Sequence, residues 1–179
     1  MMSLVSRPPG IEIRRLQAVD DAQVAGLAEL LVDAIDSGAG VSFLHPLEPE
    51  RAHAFWRGIA ADVEAGRRAL LVAEDDAGIV GTVQLVLAQP ENQPHRADLS
   101  KMLVHRRAQR RGLGATLLAA AEQLARDCGK TLLVLDTNTG SDAERLYARM
   151  GWVRVGEIPD YSVQPHGGLR ATTVFYKTV

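Results

Sequence analysis

Cysteine is nearly absent from these 179 residues: Cys128 stands alone, so an intrachain disulfide and a cysteine-rich zinc site are both excluded. Aromatic residues are scarce at 4%, too few to interleave with basic residues as a stacking platform for nucleic acid. Excess charge is missing too. With 20 basic and 22 acidic residues the net charge is −2, and no long basic tract speaks for phosphate neutralisation. No run approaches 18 apolar residues, and the opening MMSLVSRPPG lacks the apolar core of a signal peptide. The five histidines (His45, His53, His95, His105, His166) show no ligand-type spacing, so no metal site is expected. These absences predict a cytoplasmic protein with no nucleic-acid or membrane partner. What is plentiful is ordinary: 46% hydrophobic and 23% charged residues, enough to bury a core without staples.

Periodicity predicts one mixed α/β domain over residues 11–179 behind a flexible lead, residues 1–10, that contains Pro8, Pro9 and Gly10. Ile11 to Leu16 alternates as a strand. Asp20 or Asp21 can cap a helix whose apolar face is Val24, Leu27, Leu31 and Ile35, ending near residues 37–40. A second helix carries Ala52, Phe55, Ile59 and Val63 and stops at Gly66. Residues 69–73 and 79–88 read as strands, and the turn chemistry of Glu74 to Gly78 between them predicts an antiparallel hairpin. A proline-bearing loop, residues 89–95, precedes a strand over 96–104. From Gly112 a helix shows Leu113, Leu117, Ala120, Leu124 and Cys128 on one face, with Gly129 as its stop. This pattern makes Cys128 a core-facing residue rather than a nucleophile. Leu132 to Leu135 has the unbroken apolar character of a strand covered on both faces. Ser141 or Asp142 starts a short helix through Arg149, and residues 152–158 and 171–178 close the chain as strands.

The segment with the most chemistry joins the strand at 96–104 to the helix from Gly112. Four arginines (Arg106, Arg107, Arg110, Arg111) precede Gly112-Leu113-Gly114, and Lys101 lies just upstream. Glycines there let main-chain N–H groups turn inward, and the helix end adds partial positive charge. The loop therefore reads as an anion site for more than one phosphate. It is not a P-loop, since no Gly-Lys-Ser/Thr follows, and Leu117 stands where a dinucleotide fingerprint needs its third glycine.

Gln109-Arg110-Arg111-Gly112-Leu113-Gly114 resembles the acetyl-CoA motif of the GNAT superfamily of N-acetyltransferases, Gln/Arg-x-x-Gly-x-Gly/Ala. The later Ala143 to Trp152, with Tyr147 and Gly151, is similar to its second signature. The resemblance implies the GNAT acyl-CoA N-acyltransferase fold, a mostly antiparallel central sheet splayed around acetyl-CoA and flanked by helices. It implies acetyl transfer to an amine, with Met102, Leu103, Val104, Gln109, Arg110, Arg111, Gly112, Leu113, Gly114, Ala115 and Ser141 holding the cofactor. An asparagine often found seven residues before the tyrosine is Gly140 here, so any contact its side chain makes is absent or supplied by Asn138 or Ser141. Asp98 and Asp136 are the implied bases, and Tyr147 the implied acid beside the cofactor sulfur. Asp136 follows four apolar residues, so burial is expected to raise its pKa. Tyr147 equally suits a core position between Leu146 and Met150.

Within that superfamily, Arg96 to Val104, Leu135 to Thr137 with Gly140-Ser141, Val155 to Pro159 and Val174 to Thr178 resemble the tabtoxin-resistance branch, whose reaction blocks an amine on a β-lactam amino-acid toxin. This implies a small-molecule acceptor. The cup for it is expected from Val41–Glu48, Pro90–His95 and Tyr161–Gly168, with Phe43, Trp56 and Tyr161 as walls. A homodimer is compatible with this reading. Two alternatives stand beside it: a peptide or protein N-terminal acetyltransferase, and a non-catalytic acyl-CoA sensor.

Overall fold

The computed structural model describes residues 8–179; most of the lead expected to be flexible, residues 1–7, lies outside the described residues. Pro8 to Gly10 form a turn, closed by the Ile11 N–H donating to the Pro8 carbonyl (3.4 Å). Strand β1 (Glu12–Leu16) leads to helices α1 (Asp21–Asp36) and α2 (Pro49–Glu64). Strands β2 (Arg68–Asp75), β3 (Gly78–Val86) and β4 (Arg96–Val104) follow, then a short 3-10 turn (Arg106–Ala108) and α3 (Leu113–Asp127). Strand β5 (Leu132–Asn138), α4 (Asp142–Arg149), β6 (Val153–Val163) and β7 (Leu169–Thr178) complete the chain.

Local chemistry sets these boundaries. Asp20 caps α1 in a reciprocal box with Gln23: the Gln23 N–H donates to Asp20 Oδ1 (2.8 Å) and the Asp20 N–H to Gln23 Oε1 (3.0 Å). Val24, Leu27, Leu31 and Ile35 are all buried, as their spacing predicts. On α2 the wholly buried aromatic is Trp56, not Phe55, which is half-buried at the edge. Apolar periodicity alone does not separate two adjacent aromatics. Cys128 is the C-cap residue of α3 and half-buried, packed against the core.

The seven strands form one sheet in the order β1-β2-β3-β4-β5-β7-β6, antiparallel except for the β4–β5 pair. Helices α1 and α2 cover one face, with Leu70, Val72 and Leu103 beneath them; α3 covers the other, over Leu71, Val83 and Leu133. Glu122 of α3 is buried yet fully used, accepting from Trp152 Nε1 (3.0 Å) and from Lys177 Nζ (2.8 Å).

Two expectations about strands are corrected. Strand β5 is not covered on both faces: Leu133 and Leu135 are buried, but Val134 is only half-buried and Asp136 is exposed. The closing hairpin is longer than its apolar segments suggest, because β6 runs on through Pro159. A proline is tolerated there since β6 is the edge strand and its pairing is irregular between Ile158 and Ser162.

Candidate active site

The one parallel pair is also the shortest. Strands β4 and β5 are in register only at Arg96–Leu132, Ala97–Leu133 and Asp98–Val134, and beyond these they part. The opposite edges stay paired, β4 to β3 and β5 to β7 through all seven residues of β5. A cleft therefore opens inside the sheet, edged by residues 99–104 on one side and 135–138 on the other. A bulge in β4 shapes its wall: Thr82 pairs with Leu103 but Gln84 with Ser100, and Lys101 adopts a left-handed φ of 50°.

The His105 N–H donates to Val80 on β3 (2.8 Å). Alternation along an extended strand then turns the main-chain groups of Met102 and Val104 towards the cleft and those of Leu103 towards β3. Consistently, the Val104 carbonyl accepts from Gln109 Nε2 (3.2 Å) on the cleft side. Of the three residues expected to hold the cofactor's arm, Met102 and Val104 face it through their backbone. Leu103 contributes a side chain buried beneath the helices.

The cleft opens on the glycine loop. Gly112, at φ 80°, is the N-cap of α3 and offers no side-chain cap. Among the described residues, no acceptor takes the main-chain N–H groups of residues 110–115. Consecutive free N–H groups at a helix amino end, with Gly114 and Ala115 in the first turn, form an anion cradle. The arginines divide into two pairs. Arg106 is bound to Asp33 of α1 through its side chain and its N–H (3.0 Å), and Arg107 is ion-paired with Asp75. Arg110 has no carboxylate partner among the described residues, and Arg111 donates only to the Pro9 carbonyl (3.3 Å). Among the described residues, Arg110 and Arg111 are thus the two of the four arginines without a carboxylate partner. Lys101 lies apart from them: its Nζ donates to Ser42 Oγ (2.9 Å) and lies 5.7 Å from the Phe55 ring centre, on the side of the α1–α2 loop.

The expected catalytic residues occupy three different settings. Asp98, at the last paired position of β4, is ion-paired with Arg96 (2.5 Å) and accepts from Gln89 Nε2 (3.1 Å). Asp136 stands where β5 has left β4; its burial is missing, and Oδ2 accepts from the Thr172 hydroxyl (2.8 Å). Tyr147 of α4 is buried at 5% exposure between Trp152 and Phe175. Its hydroxyl makes no hydrogen bond among the described residues. Burial, and then the nearby Asp136 carboxylate, raise its pKa well above the usual phenol value, so it keeps its proton. Ser141 caps α4, accepting from the Glu144 N–H (3.1 Å), and Asn138 pairs with Gln164 (2.6 Å).

Two of the three expected cup segments meet. The His45 N–H donates to the Pro165 carbonyl (3.0 Å), and the His45 and His166 rings meet at a tilt of 42° with their centres 4.6 Å apart. Gly40 lies close to this contact: a Cβ there would come 2.3 Å from Asn138 Nδ2, so the Asn138–Gln164 side-chain pair would have to shift. Residues 90–95 are elsewhere, at the closed end of the cleft, where the Thr131 N–H donates to the His95 carbonyl (2.9 Å). Trp56 lies in the core rather than the cup wall, Phe43 packs edge-on against Phe55, and Tyr161 is exposed. Sequence reasoning missed Asp33, Ser42 and Gln164. Each acts on a partner far along the chain, and no local signal marks it.

A sequence profile of the acetyltransferase (GNAT) family matches residues 32–152, from the middle of α1 through α4. The chain belongs to that family. It is an N-acetyltransferase dependent on acetyl-CoA. An uncharacterised N-acetyltransferase of Azospirillum brasilense, encoded between hisH and hisA, is 30% identical over 128 residues, 70% of this chain and 74% of its own. In three dimensions the GNAT chain is similar to yncA from Salmonella typhimurium, solved with its cofactor acetyl-CoA, at 22% identity and a TM-score of 0.76 over 94% of both chains. It is also similar to the ribosomal-protein-alanine N-acetyltransferase of Brucella melitensis, at 23% identity and 0.77, over 94% of this chain and 99% of that one. These two likenesses speak for the fold. Among the described residues no helix is long and apolar enough to cross a membrane, and no cluster of three metal-ligating side chains occurs.

Proposed function

We propose that this acetyltransferase holds acetyl-CoA between the glycine loop and the β4–β5 cleft and passes the acetyl group to a small-molecule amine in the α1–α2/β6–β7 cup. The observation that carries the reading is the cleft itself: a parted sheet edge leads to the glycine loop, where no acceptor within 3.5 Å takes the N–H groups of residues 110–115 among the described residues. An extended pantetheine arm can add to that edge as a strand would, along Met102 and Val104, and a pyrophosphate suits residues 110–115 with Arg110 and Arg111. Leu113, Gly114 and Ala115 supply the first turn of the cradle, and Gln109 ties the loop to the strand end. Ser141 supports the cleft's far wall by starting α4.

Acetyl-CoA supplies a thioester whose carbon accepts the amine's lone pair and whose C–S bond then breaks. The acceptor ammonium must lose one proton before attack, and the nitrogen a second as the amide forms; one of the two ends on the departing thiolate and the other is released to solvent. Asp136 is suited to taking the first, being exposed at the cleft wall and held by a neutral hydroxyl rather than a cation. Asp98 is already engaged by Arg96, so we assign it the placement of the cleft's apex and the charge around it. Tyr147, protonated and with a free hydroxyl near Asp136, is suited to protonating the thiolate. The Val104 N–H is suited to polarise the carbonyl.

The finer reading, a resistance acetylation like that of the tabtoxin-resistance branch, is supported by the local matches at 96–104, 135–141, 155–159 and 174–178. The clasp of His45 on the β6–β7 turn favours a closed cup for a small molecule over an open groove for a peptide. A panel of amino acids, β-lactam dipeptide fragments, aminoglycosides, polyamines and amino-terminal peptides, read by thiol release, tests it. Preference for peptide amino termini would overturn the small-molecule reading, and binding without transfer to any member would favour a sensor.

A further inference from the structure

The two walls of the cleft each carry one charge without a counter-ion. On the β4 side Lys101 projects from the bulge into the cup, half-buried, with the Ser42 hydroxyl as its one hydrogen-bond partner. On the β5 side Asp136 has the Thr172 hydroxyl as its one side-chain partner. Among the described residues neither takes part in an ion pair, although the neighbouring charges do: Arg68 with Asp62 (2.9 Å) and Arg96 with Asp98. The two are close enough to sense each other, since Asp136 acts to raise the Lys101 pKa while burial and Arg68 lower it more strongly. Yet they are not within 4 Å, so they do not neutralise one another. A half-buried cation bonded to one hydroxyl and set over the Phe55 ring (5.7 Å) still lacks an anionic partner to offset its desolvation.

The buried polar groups behind this wall do not supply the missing anion. Gln84 is buried, and its register partner is Ser100, the residue before Lys101. Its Oε1 accepts from Arg68 Nη1 (2.6 Å), and its Nε2, like Trp56 Nε1, is a buried donor with no acceptor. The unmatched cation on one wall calls for an anion, and the unmatched carboxylate across the cleft calls for a cation.

We propose that Lys101 holds an acidic group of the acceptor, and that the enzyme acetylates amines of zwitterionic, amino-acid-like molecules. This rests on the assignment of Asp136 to the acceptor's ammonium. In the bound state the acceptor's carboxylate faces Lys101, its ammonium faces Asp136, and each charge gains its counterpart. Polyamines and aminoglycosides present cations to both walls and are repelled by one. Carboxamide derivatives keep the amine and lose the anion.

The test compares L-amino acids with their own α-carboxamides, and spermidine as a purely cationic amine, on the wild type, Lys101→Met and Lys101→Arg. Calorimetry on the CoA complex reads binding without chemistry, and thiol release reads turnover. The wild type is expected to favour the acid of a pair by about ten- to a hundred-fold, the range of one charge-assisted contact. Lys101→Met should bring acid and amide to parity with unchanged CoA affinity, and Lys101→Arg should keep the preference. Binding of amides or spermidine as tight as that of acids, a preference that survives in Lys101→Met, or no binding of any acid would overturn the proposal. Parity of acid and amide in a wild type that still turns over removes Lys101's role and leaves the transfer reaction intact. Undiminished turnover in Asp136→Asn with the acid preference intact removes the base and leaves Lys101's role.

Discussion

Replacing Gly114 by aspartate should move two readouts in opposite directions. Gly114 is in the first turn of α3, where no acidic residue is present, so a carboxylate there meets the positive helix end and should stabilise the fold by about 0.3–1 kcal/mol. The new Cβ would lie 3.2 Å from Leu146 Cδ2, a contact that the half-buried leucine can relieve by a few tenths of an ångström. The melting temperature should therefore hold or rise slightly. A pyrophosphate on the free N–H groups of residues 110–115 would instead face a new negative charge. At roughly 5 Å, with an effective dielectric between about 20 and 80, the repulsion is about 1–3 kcal/mol, or about 5- to 150-fold in affinity. Gly114→Asn adds nearly the same bulk without charge, so the difference between the two variants isolates the electrostatic part. Calorimetry with CoA and a thermal melt of each variant provide both readouts. Wild-type affinity in a well-folded Gly114→Asp variant would refute the anion cradle. A loss of equal size in Gly114→Asn would refute the charge argument and leave only steric obstruction.

The remaining expectations concern other parts of the site. Asp136→Asn should lower turnover at neutral pH with little change in CoA affinity, and the deficit should shrink as rising pH deprotonates the acceptor; a deficit constant with pH would count against a base. Tyr147→Phe should lower turnover without shifting the alkaline limb of the pH profile, because the raised phenol pKa keeps Tyr147 protonated across that range; a limb that moves would contradict this. Asp33→Ala removes the acceptor of the Arg106 N–H (3.0 Å) and the partner of its side chain. It should raise the KM for acetyl-CoA by about ten-fold while leaving the KM for the amine near its original value. Glu144 accepts from the Gly140 N–H (2.6 Å) and the Thr173 hydroxyl (2.9 Å), and these bonds hold its pKa below the ordinary 4.5. Its share of stability is present above that ordinary value and is lost as pH falls through the lowered one, so Glu144→Gln should flatten the acid limb of a melting-temperature profile.

What could be read from sequence was what local physics determines. The spacing of Val24, Leu27, Leu31 and Ile35 needs only the helical period, and Gly112-Leu113-Gly114 before an amphipathic helix needs only the chemistry of a helix end. The arginines show where this stops. Arg106 and Arg110 are equivalent as sequence, yet one is claimed by Asp33, 73 residues away, and the other is not. Lys101 was grouped with the phosphate loop by proximity along the chain, but the bulge turns it to the opposite side of the sheet. Asp136 was expected to be buried because four apolar residues precede it; the parting of β4 and β5 exposes it, and strand divergence leaves no mark in composition. The β6–β7 hairpin was drawn too short for a similar reason, since edge strands tolerate Pro159 where an inner strand would not.

In the site proposed above, the donor and acceptor sides rest on different kinds of structure. The donor side is made of backbone: N–H groups of residues 110–115, the free edge at Met102 and Val104, and a left-handed Gly112. Many side-chain sequences can present the same backbone, which is why a short glycine motif carries so much of the family's signature. The acceptor side is made of side chains from segments remote in sequence, Ser42, Lys101, Asp136 and the His45–His166 clasp. Part of it, the β6–β7 hairpin, lies beyond the residues 32–152 that match the family profile. Family membership therefore speaks strongly for the donor and hardly at all for the amine. Helix α1 joins the two sides, since Asp33 grips the start of the phosphate loop while Asp36, one turn on, lies 3.5 Å from His45 in the cup. The last turn of α1 thus contacts both the start of the glycine loop and the segment that carries His45.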